Sequence, residues 1–153
     1  RYMIYEANKE MVYLEKELEY IKSYIQLQRL RLPNAEDVYF NIYGDDKGKT
    51  IKPLLFISFI ENAFKYGTDY TGNTWVKINI SIQEDKVHLF VKNKIGIIQK
   101  APESSGIGLK NIQNRLKLLY PETHKLDIEN DGNYYTINLT ILNIQSDEVY
   151  NNR

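Results

Sequence analysis

The sequence predicts an α+β fold, a two-layer sandwich with helices on one face of a mixed β-sheet. Three observations carry this. Three segments space their apolar residues at helical intervals, and other segments alternate apolar and polar residues as half-buried strands do. The predicted order is helix, strand, helix, hairpin, loop, helix, hairpin, so helices and hairpins are segregated rather than interleaved as in a parallel α/β sheet. The chain's 153 residues suit one domain with a real core, since a chain of this size buries roughly 70% of its unfolded surface.

From Tyr2 to Arg31 there is no glycine or proline, and Leu14, Leu18, Ile21 and Ile25 recur at helical spacing. This predicts an amphipathic helix ended by Pro33. Tyr13, Tyr20, Tyr24 and Leu27 broaden its apolar stripe, so its C-terminal half should lie on a sheet. Residues 1–13 read either as a connector continuing the helix toward an upstream domain or as a frayed end. Val38 to Tyr43 is rich in β-formers and predicts a strand, followed by a turn over Gly44-Asp45-Asp46-Lys47-Gly48.

Pro53 to Ile60 is almost wholly apolar, with proline where a first helical turn tolerates it, so this helix should be packed on most sides. Thr68 to Asn73 has loop composition. Trp75 to Ile82 and Val87 to Lys92 alternate around a turn at Glu84-Asp85 and predict a hairpin with one buried face. Lys94 to Ser105 shows no period and ends in Ala-Pro-Glu-Ser-Ser, which predicts a mobile loop running into Gly106. Leu109, Ile112, Leu116 and Leu119 predict a helix stopping before Pro121. Lys125 to Glu129 and Tyr134 to Leu142 flank the tight-turn sequence Asn130-Asp131-Gly132-Asn133 and predict a last hairpin. Ile144 to Arg153 is polar and reads as a tail.

Composition narrows the function. Lys plus Arg and Asp plus Glu stand at 20 each, without the basic excess that nucleic-acid binding leaves, so DNA and RNA are discounted as partners. The absence of cysteine excludes disulfides, thiolate metal sites and cysteine nucleophiles. The longest apolar run, Leu54 to Ile60, falls far short of the ~20 residues of a membrane-spanning helix. The chain opens on Arg1 rather than methionine and reads as a piece of a longer protein.

The chemistry concentrates where the apolar helix turns polar, in Glu61-Asn62-Ala63-Phe64-Lys65-Tyr66-Gly67. Asn62 and Lys65 share a face, being three apart on a helix. An amide oxygen, a carboxylate and an ammonium there suit a magnesium-bound polyphosphate, offering oxygen for a hard cation and positive charge for phosphates. Gly106 and Gly108, read as preceding a helix, would let backbone N–H groups and the positive dipole end hold an anion. A plain loop-to-helix turn is the alternative. His88 and His124 are isolated from each other and receive no catalytic role.

Glu61-Asn62-Ala63-x-Lys65-Tyr66-Gly67 after an apolar helix resembles the N box of the histidine-kinase ATP-binding domain, in the superfamily of type II topoisomerases, heat-shock chaperones and mismatch-repair ATPases (GHKL). Ser105-Gly106-Ile107-Gly108-Leu109-Lys110-Asn111-Ile112-Gln113-Asn114-Arg115, continuing to Pro121, is similar to the glycine box and helix of the LytS and YehU type of sensor kinase. Leu14-Glu15-Lys16-Glu17-Leu18, continuing to Gln28 and Arg31, is similar to the helix that opens that domain. The three motifs cover Leu14 to Leu142.

The resemblance implies a Bergerat-type ATP-binding fold over residues 14–142, with a connector before it and a polar tail over 143–153. It implies a protein histidine kinase domain that binds Mg-ATP and donates the γ-phosphate to a histidine on an upstream domain, for relay to a response regulator. It further implies a homodimeric full-length protein, anchored in a bacterial inner membrane with this domain in the cytoplasm. By position, Asn62 becomes the magnesium ligand. Glu61 orients water or acts as a base, or is simply a solvated helix glutamate. Lys65 contacts phosphate and Tyr66 lines the sugar and base, while Gly106, Gly108, Leu109, Asn111 and Arg115 complete the implied nucleotide site. Arg115 is read equally as an ion-pairing residue on a solvated face.

One departure stands at the adenine pocket. The family's Asp-x-Gly-x-Gly is here Asn93-Lys94-Ile95-Gly96-Ile97, with an amide in place of the acid and Gly96 one position off. A neutral hydrogen bond contributes ~1 kcal/mol against roughly 1.5–3 for a charged one, so adenine affinity should fall on the order of tenfold. This departure is what favours a docking or dimerising module that no longer uses nucleotide. Another GHKL ATPase, or a serine-directed anti-sigma kinase, is a further alternative, disfavoured by the opening helix from Leu14 and by the helix from Arg115 to Pro121.

Overall fold

A computed structural model describes residues 10–96 and 102–146. The elements in chain order are β1 (Val12–Tyr13), α1 (Leu14–Arg31), a 3-10 turn (Ala35–Asp37), β2 (Val38–Tyr43), β3 (Lys49–Ile51), α2 (Phe56–Tyr66), β4 (Val76–Ile82), β5 (Val87–Lys94), α3 (Pro102–Leu119), β6 (His124–Asn130), β7 (Tyr134–Ile141) and β8 (Gln145–Ser146). The main sheet runs β2-β4-β5-β7-β6. Its β2 and β4 are parallel and every other pair is antiparallel. This is the mixed sheet with helices that the sequence predicts.

Alternation fixes which face each strand buries. Val76, Ile78, Ile80 and Ile82 of β4 and Val87, Leu89 and Val91 of β5 point inward, joined on β7 by Ile137, Leu139 and Ile141. Onto this face pack Leu14, Leu18, Ile21 and Ile25 of α1, Leu116 of α3, and Phe56, Ile57, Phe59, Ile60, Ala63 and Phe64 of α2. The α1 spacing of four, three and four is thus one buried stripe.

The structure corrects the sequence reading at four places. The first helix begins at Leu14, and Val12–Tyr13 is a strand paired antiparallel with Ile51 and Thr50; the rest of the expected connector, residues 1–9, lies outside the described residues. A second small sheet, β1-β3-β8, was not expected, nor was Gln145–Ser146 as a strand in the polar tail. Strand β5 extends to Lys94 and so takes in Asn93.

The fourth correction concerns the glycine segment. Of the expected loop over 94–105, residues 97–101 lie outside the described residues, while Pro102 already opens α3. Proline's fixed φ suits a first helical position, and here it outweighs the two glycines. Gly106 and Gly108 therefore lie within the helix rather than ahead of it. Helical N–H groups from the fifth residue onward bond to carbonyls four back, so these two glycines do not present a free N–H cradle. A Cβ at Gly108 would meet nothing within 4 Å, so close packing does not require that glycine either.

Candidate nucleotide-binding site

Helix α2 carries the candidate residues, and both of its ends are fixed by polar contacts. At its start the chain makes a left-handed turn at Leu54, φ 60°, a conformation that a leucine adopts only when its surroundings hold it there. Those surroundings are two side chains, one buried and one half-buried. Glu17 of α1, 1% exposed, accepts a hydrogen bond from the Leu54 N–H. From the other side, Arg115 of α3 donates to the carbonyls of Pro53 at 2.7 Å and Leu54 at 3.1 Å. Arg115 is thus committed to the polypeptide, which corrects its expected place in the phosphate site and equally the solvated ion pair.

At the other end, Gly67 N–H donates to the Ala63 carbonyl at 2.8 Å, and the Thr68 hydroxyl donates to Phe64 O at 2.6 Å. The end of β5 then closes against this turn, with Gly96 N–H donating to Tyr66 O at 3.1 Å. Only glycine permits that approach: a Cβ at Gly96 would stand 2.6 Å from Thr68 O. Gly96 thus brings the strand that carries Asn93 against α2, a packing role where the sequence showed only a motif out of register.

Between α2, the sheet and α3 lies a cavity of about 270 Å³. Phe59, Asn62, Ala63 and Tyr66 form its α2 wall, and Asn93, Ile95, Leu109, Asn130, Tyr135 and Ile137 complete it. Asn93 is opposite Val76 on one side and Tyr135 on the other in the sheet register. It is 2% exposed, and its Nδ2 donates to Lys94 O at 3.3 Å, which leaves Oδ1 as the acceptor for a ligand. The cavity is an apolar slot with three amides and two phenols, the lining expected of a small-molecule site. Burial raises the Tyr135 pKa, so that phenol stays protonated.

The sequence-derived residues divide between two places. Asn62, Tyr66, Asn93 and Leu109 meet at the cavity. Glu61 and Lys65 instead line a groove on the other side of α2, with Tyr24, Gln28 and Arg31 of α1. The Lys65 ammonium stands 5.3 Å from the Tyr66 ring centroid, so it bridges the two sides. Burial pushes the Glu61 carboxyl up from its ordinary range. Burial, followed by the Glu61 charge, pushes Tyr24 up to about 12. Asn111 is exposed on α3 and lines neither place. Phe59, Ala63, Ile95, Asn130, Tyr135 and Ile137 were not singled out from the sequence.

Magnesium fits this geometry as a guest of the ligand rather than of the protein. Among the described residues no three His, Cys, Asp or Glu side chains form a metal cluster. Asn62 places one amide at the cavity wall, which suits an ion that keeps waters and phosphate oxygens as its other ligands.

Comparison with known proteins follows the same line. No family model matches the chain. It is 23% identical over 129 residues to the sensor histidine kinase BtsS of Escherichia coli and 25% identical over 144 residues to the sensor protein kinase HptS of Staphylococcus aureus, covering 83% and 86% of this chain. With Staphylococcus epidermidis LytS it shares 23% identity over 148 residues, 88% of this chain. Among solved structures, the catalytic domain of histidine kinase ThkA superposes with a TM-score of 0.58 at 17% identity, covering 87% of this chain and 96% of that one. The chain is thus similar in sequence to LytS-type sensor kinases and shares the fold of a histidine kinase catalytic domain. The chain spans 23–28% of the length of these curated relatives. A ThkA structure in complex with the response regulator TrrA has a TM-score of 0.54, at 16% identity and over 87% of this chain and 41% of that one. No helix among the described residues is long and apolar enough to cross a membrane.

Proposed function

We propose that this chain is the ATP-binding catalytic domain of a two-component sensor histidine kinase. It would bind Mg-ATP and present the γ-phosphate to a histidine on an upstream domain, for relay to a response regulator. Its full-length protein would be a dimer anchored in a bacterial inner membrane, with this domain in the cytoplasm. The observation that carries the reading is the cavity itself: a buried acceptor, Asn93, at one wall and the N-box Asn62 at the other.

Each residue's part follows from its place. Phe59, Ile95, Leu109 and Ile137 offer apolar surface to a purine ring, and Asn93 Oδ1 accepts from its amino group. Tyr66 flanks the ring and sugar. Asn62 would hold the magnesium ion, which supplies charge neutralisation at the phosphates. Lys65, on the exposed side of α2, adds positive charge along the phosphate path. In phosphoryl transfer the protein contributes mostly positioning and electrostatics, so a site of binders without a protein nucleophile is the arrangement expected.

A neutral Asn93 in place of an acid supports a second reading, a docking module that no longer uses nucleotide. A thermal-shift titration separates the two. A ligand at a hundred times its dissociation constant adds about 2.7 kcal/mol, several degrees for a domain of this size. The kinase reading predicts that shift with Mg-ATP and its loss without magnesium. No shift at millimolar Mg-ATP would leave the docking reading in place.

A further inference from the structure

Among the described residues, every polar side chain on the cavity wall is neutral. The lining holds Asn62, Tyr66, Asn93, Asn130 and Tyr135 and no Asp, Glu, Lys, Arg or His, while Glu61 and Lys65 line the groove across α2. Three of these neutral groups stand in one row across the sheet, because Asn93 of β5 and Asn130 of β6 both pair with Tyr135 of β7. That row is the polar edge a purine would meet.

The row holds donors as well as acceptors. A primary amide carries two N–H donors and an acceptor oxygen, whereas a carboxylate only accepts. Among the described residues Asn93 makes one side-chain hydrogen bond, from Nδ2 to Lys94 O at 3.3 Å, so one N–H and Oδ1 remain for a ligand. Its place is fixed by close packing, since a Cβ at Gly67 would stand only 3.0 Å from the Asn93 Cβ. Asn130 Oδ1 accepts from Gly132 N–H at 2.9 Å, which leaves its Nδ2 as a donor. The protonated Tyr135 hydroxyl donates or accepts.

Adenine and a 6-oxopurine present opposite patterns to such an edge. Adenine has an amino donor at position 6 and an acceptor at N1, whereas a 6-oxopurine has a carbonyl acceptor and an N1–H donor. A carboxylate tells them apart, because it attracts the amino group and repels the carbonyl. An amide does not, because it gives Oδ1 to the one and an N–H to the other. We propose that this cavity accepts 6-oxopurine nucleotides about as well as adenine nucleotides, with Asn93 as the residue that sets this tolerance. The inference rests on the nucleotide reading and adds the base selectivity of that site.

The test is isothermal titration of Mg-ATP and Mg-ITP into the parent chain and into Asn93→Asp, with magnesium tripolyphosphate as the comparison ligand. ITP differs from ATP only at the 6-position and N1 of the base. In the parent the two dissociation constants should agree within about threefold, as befits an exchange of neutral hydrogen bonds. Tripolyphosphate, which has no base to bury, should bind roughly tenfold more weakly or worse. In Asn93→Asp the ratio should open to about a hundredfold in favour of ATP, roughly tenfold from the charged acceptor for the amino group and roughly tenfold from repulsion of the carbonyl. A preference of the parent for ATP of roughly tenfold or more, an unchanged ratio in Asn93→Asp, or tripolyphosphate as tight as the nucleotides would each overturn the proposal. The parent ratio needs no variant, so it decides alone if Asn93→Asp misfolds. ATP bound with strong preference over ITP sinks the tolerance and leaves the ATP reading standing; no binding of either nucleotide at millimolar concentration sinks both.

Discussion

The two sides of α2 differ in what they ask of the same short motif. The cavity side, with Phe59, Asn62, Ala63 and Tyr66, is an apolar slot lined by one amide on α2 and another, Asn93, on the sheet. The groove side, with Glu61, Phe64 and Lys65, is polar above an aromatic floor and shared with α1. Consecutive residues of a helix are separated by about 100°, so Glu61 and Asn62 cannot serve one small ligand in the same way. A motif contiguous in sequence thus faces two adjoining surfaces, a cavity on one side of α2 and a groove on the other.

Breaking the cavity side alone should have the largest ligand-dependent effect. Asn62→Ala is expected to lose the whole Mg-ATP stabilisation, about 2.7 kcal/mol at a hundredfold excess over the dissociation constant. Its melting temperature without nucleotide should stay near that of the parent. Calorimetric melting with and without Mg-ATP checks both halves.

Breaking what the two sides share comes next. Glu17→Ala leaves the Leu54 N–H unsatisfied beside a left-handed turn, a loss of about 1–3 kcal/mol. Because α2 starts there, nucleotide binding should weaken as well. Glu17→Gln keeps an acceptor and should recover most of the loss in a urea melt; a Glu17→Ala protein as stable as the parent would contradict the role given to Glu17.

Asn93→Asp sharpens the cavity side. Restoring a charged acceptor should tighten adenine nucleotide binding by roughly tenfold. An unpaired carboxylate at this 2% exposed position should at the same time lower the stability of the free domain. Dissociation constants and melting temperatures for the two proteins read these opposite effects.

The smallest effect belongs to the groove side. Burial raises the Glu61 pKa above the ordinary carboxylate range, so the folded state binds this proton more tightly than the unfolded chain. Its contribution to stability is therefore greatest below the unfolded pKa and declines as pH rises through the window up to the folded value. Glu61 is largely solvated, so Glu61→Gln should raise the melting temperature at pH 7 by about one degree or less. That difference should vanish on acidification below pH 4.5.

Legibility in the sequence followed the length of each element. The hairpins over Trp75 to Lys92 and Lys125 to Leu142 were readable because period-two alternation persists through them and Asn130 to Asn133 allows one connection. The second sheet was not: Val12–Tyr13, Lys49–Ile51 and Gln145–Ser146 are too short to show a period, and only tertiary pairing makes them strands. Glu17 is one of several glutamates on α1 and the sequence does not set it apart, because the Leu54 backbone it serves lies far away in sequence. Asn62, Tyr66, Asn93 and Leu109, expected at one site, line one cavity. Asn130 and Tyr135 were missed because their place at the cavity comes from the β6–β7 register. A signal for Gly96 did exist: a glycine at a strand end beside another glycine-closed helix invites a close backbone approach.

The most direct test of the nucleotide site is isothermal titration of Mg-ATP into the parent chain, Asn62→Ala and Asn93→Asp. One site is expected, with affinity highest in Asn93→Asp, lower in the parent and lost in Asn62→Ala. Binding that Asn62→Ala leaves intact, or that Asn93→Asp fails to tighten, would place the nucleotide somewhere other than this cavity.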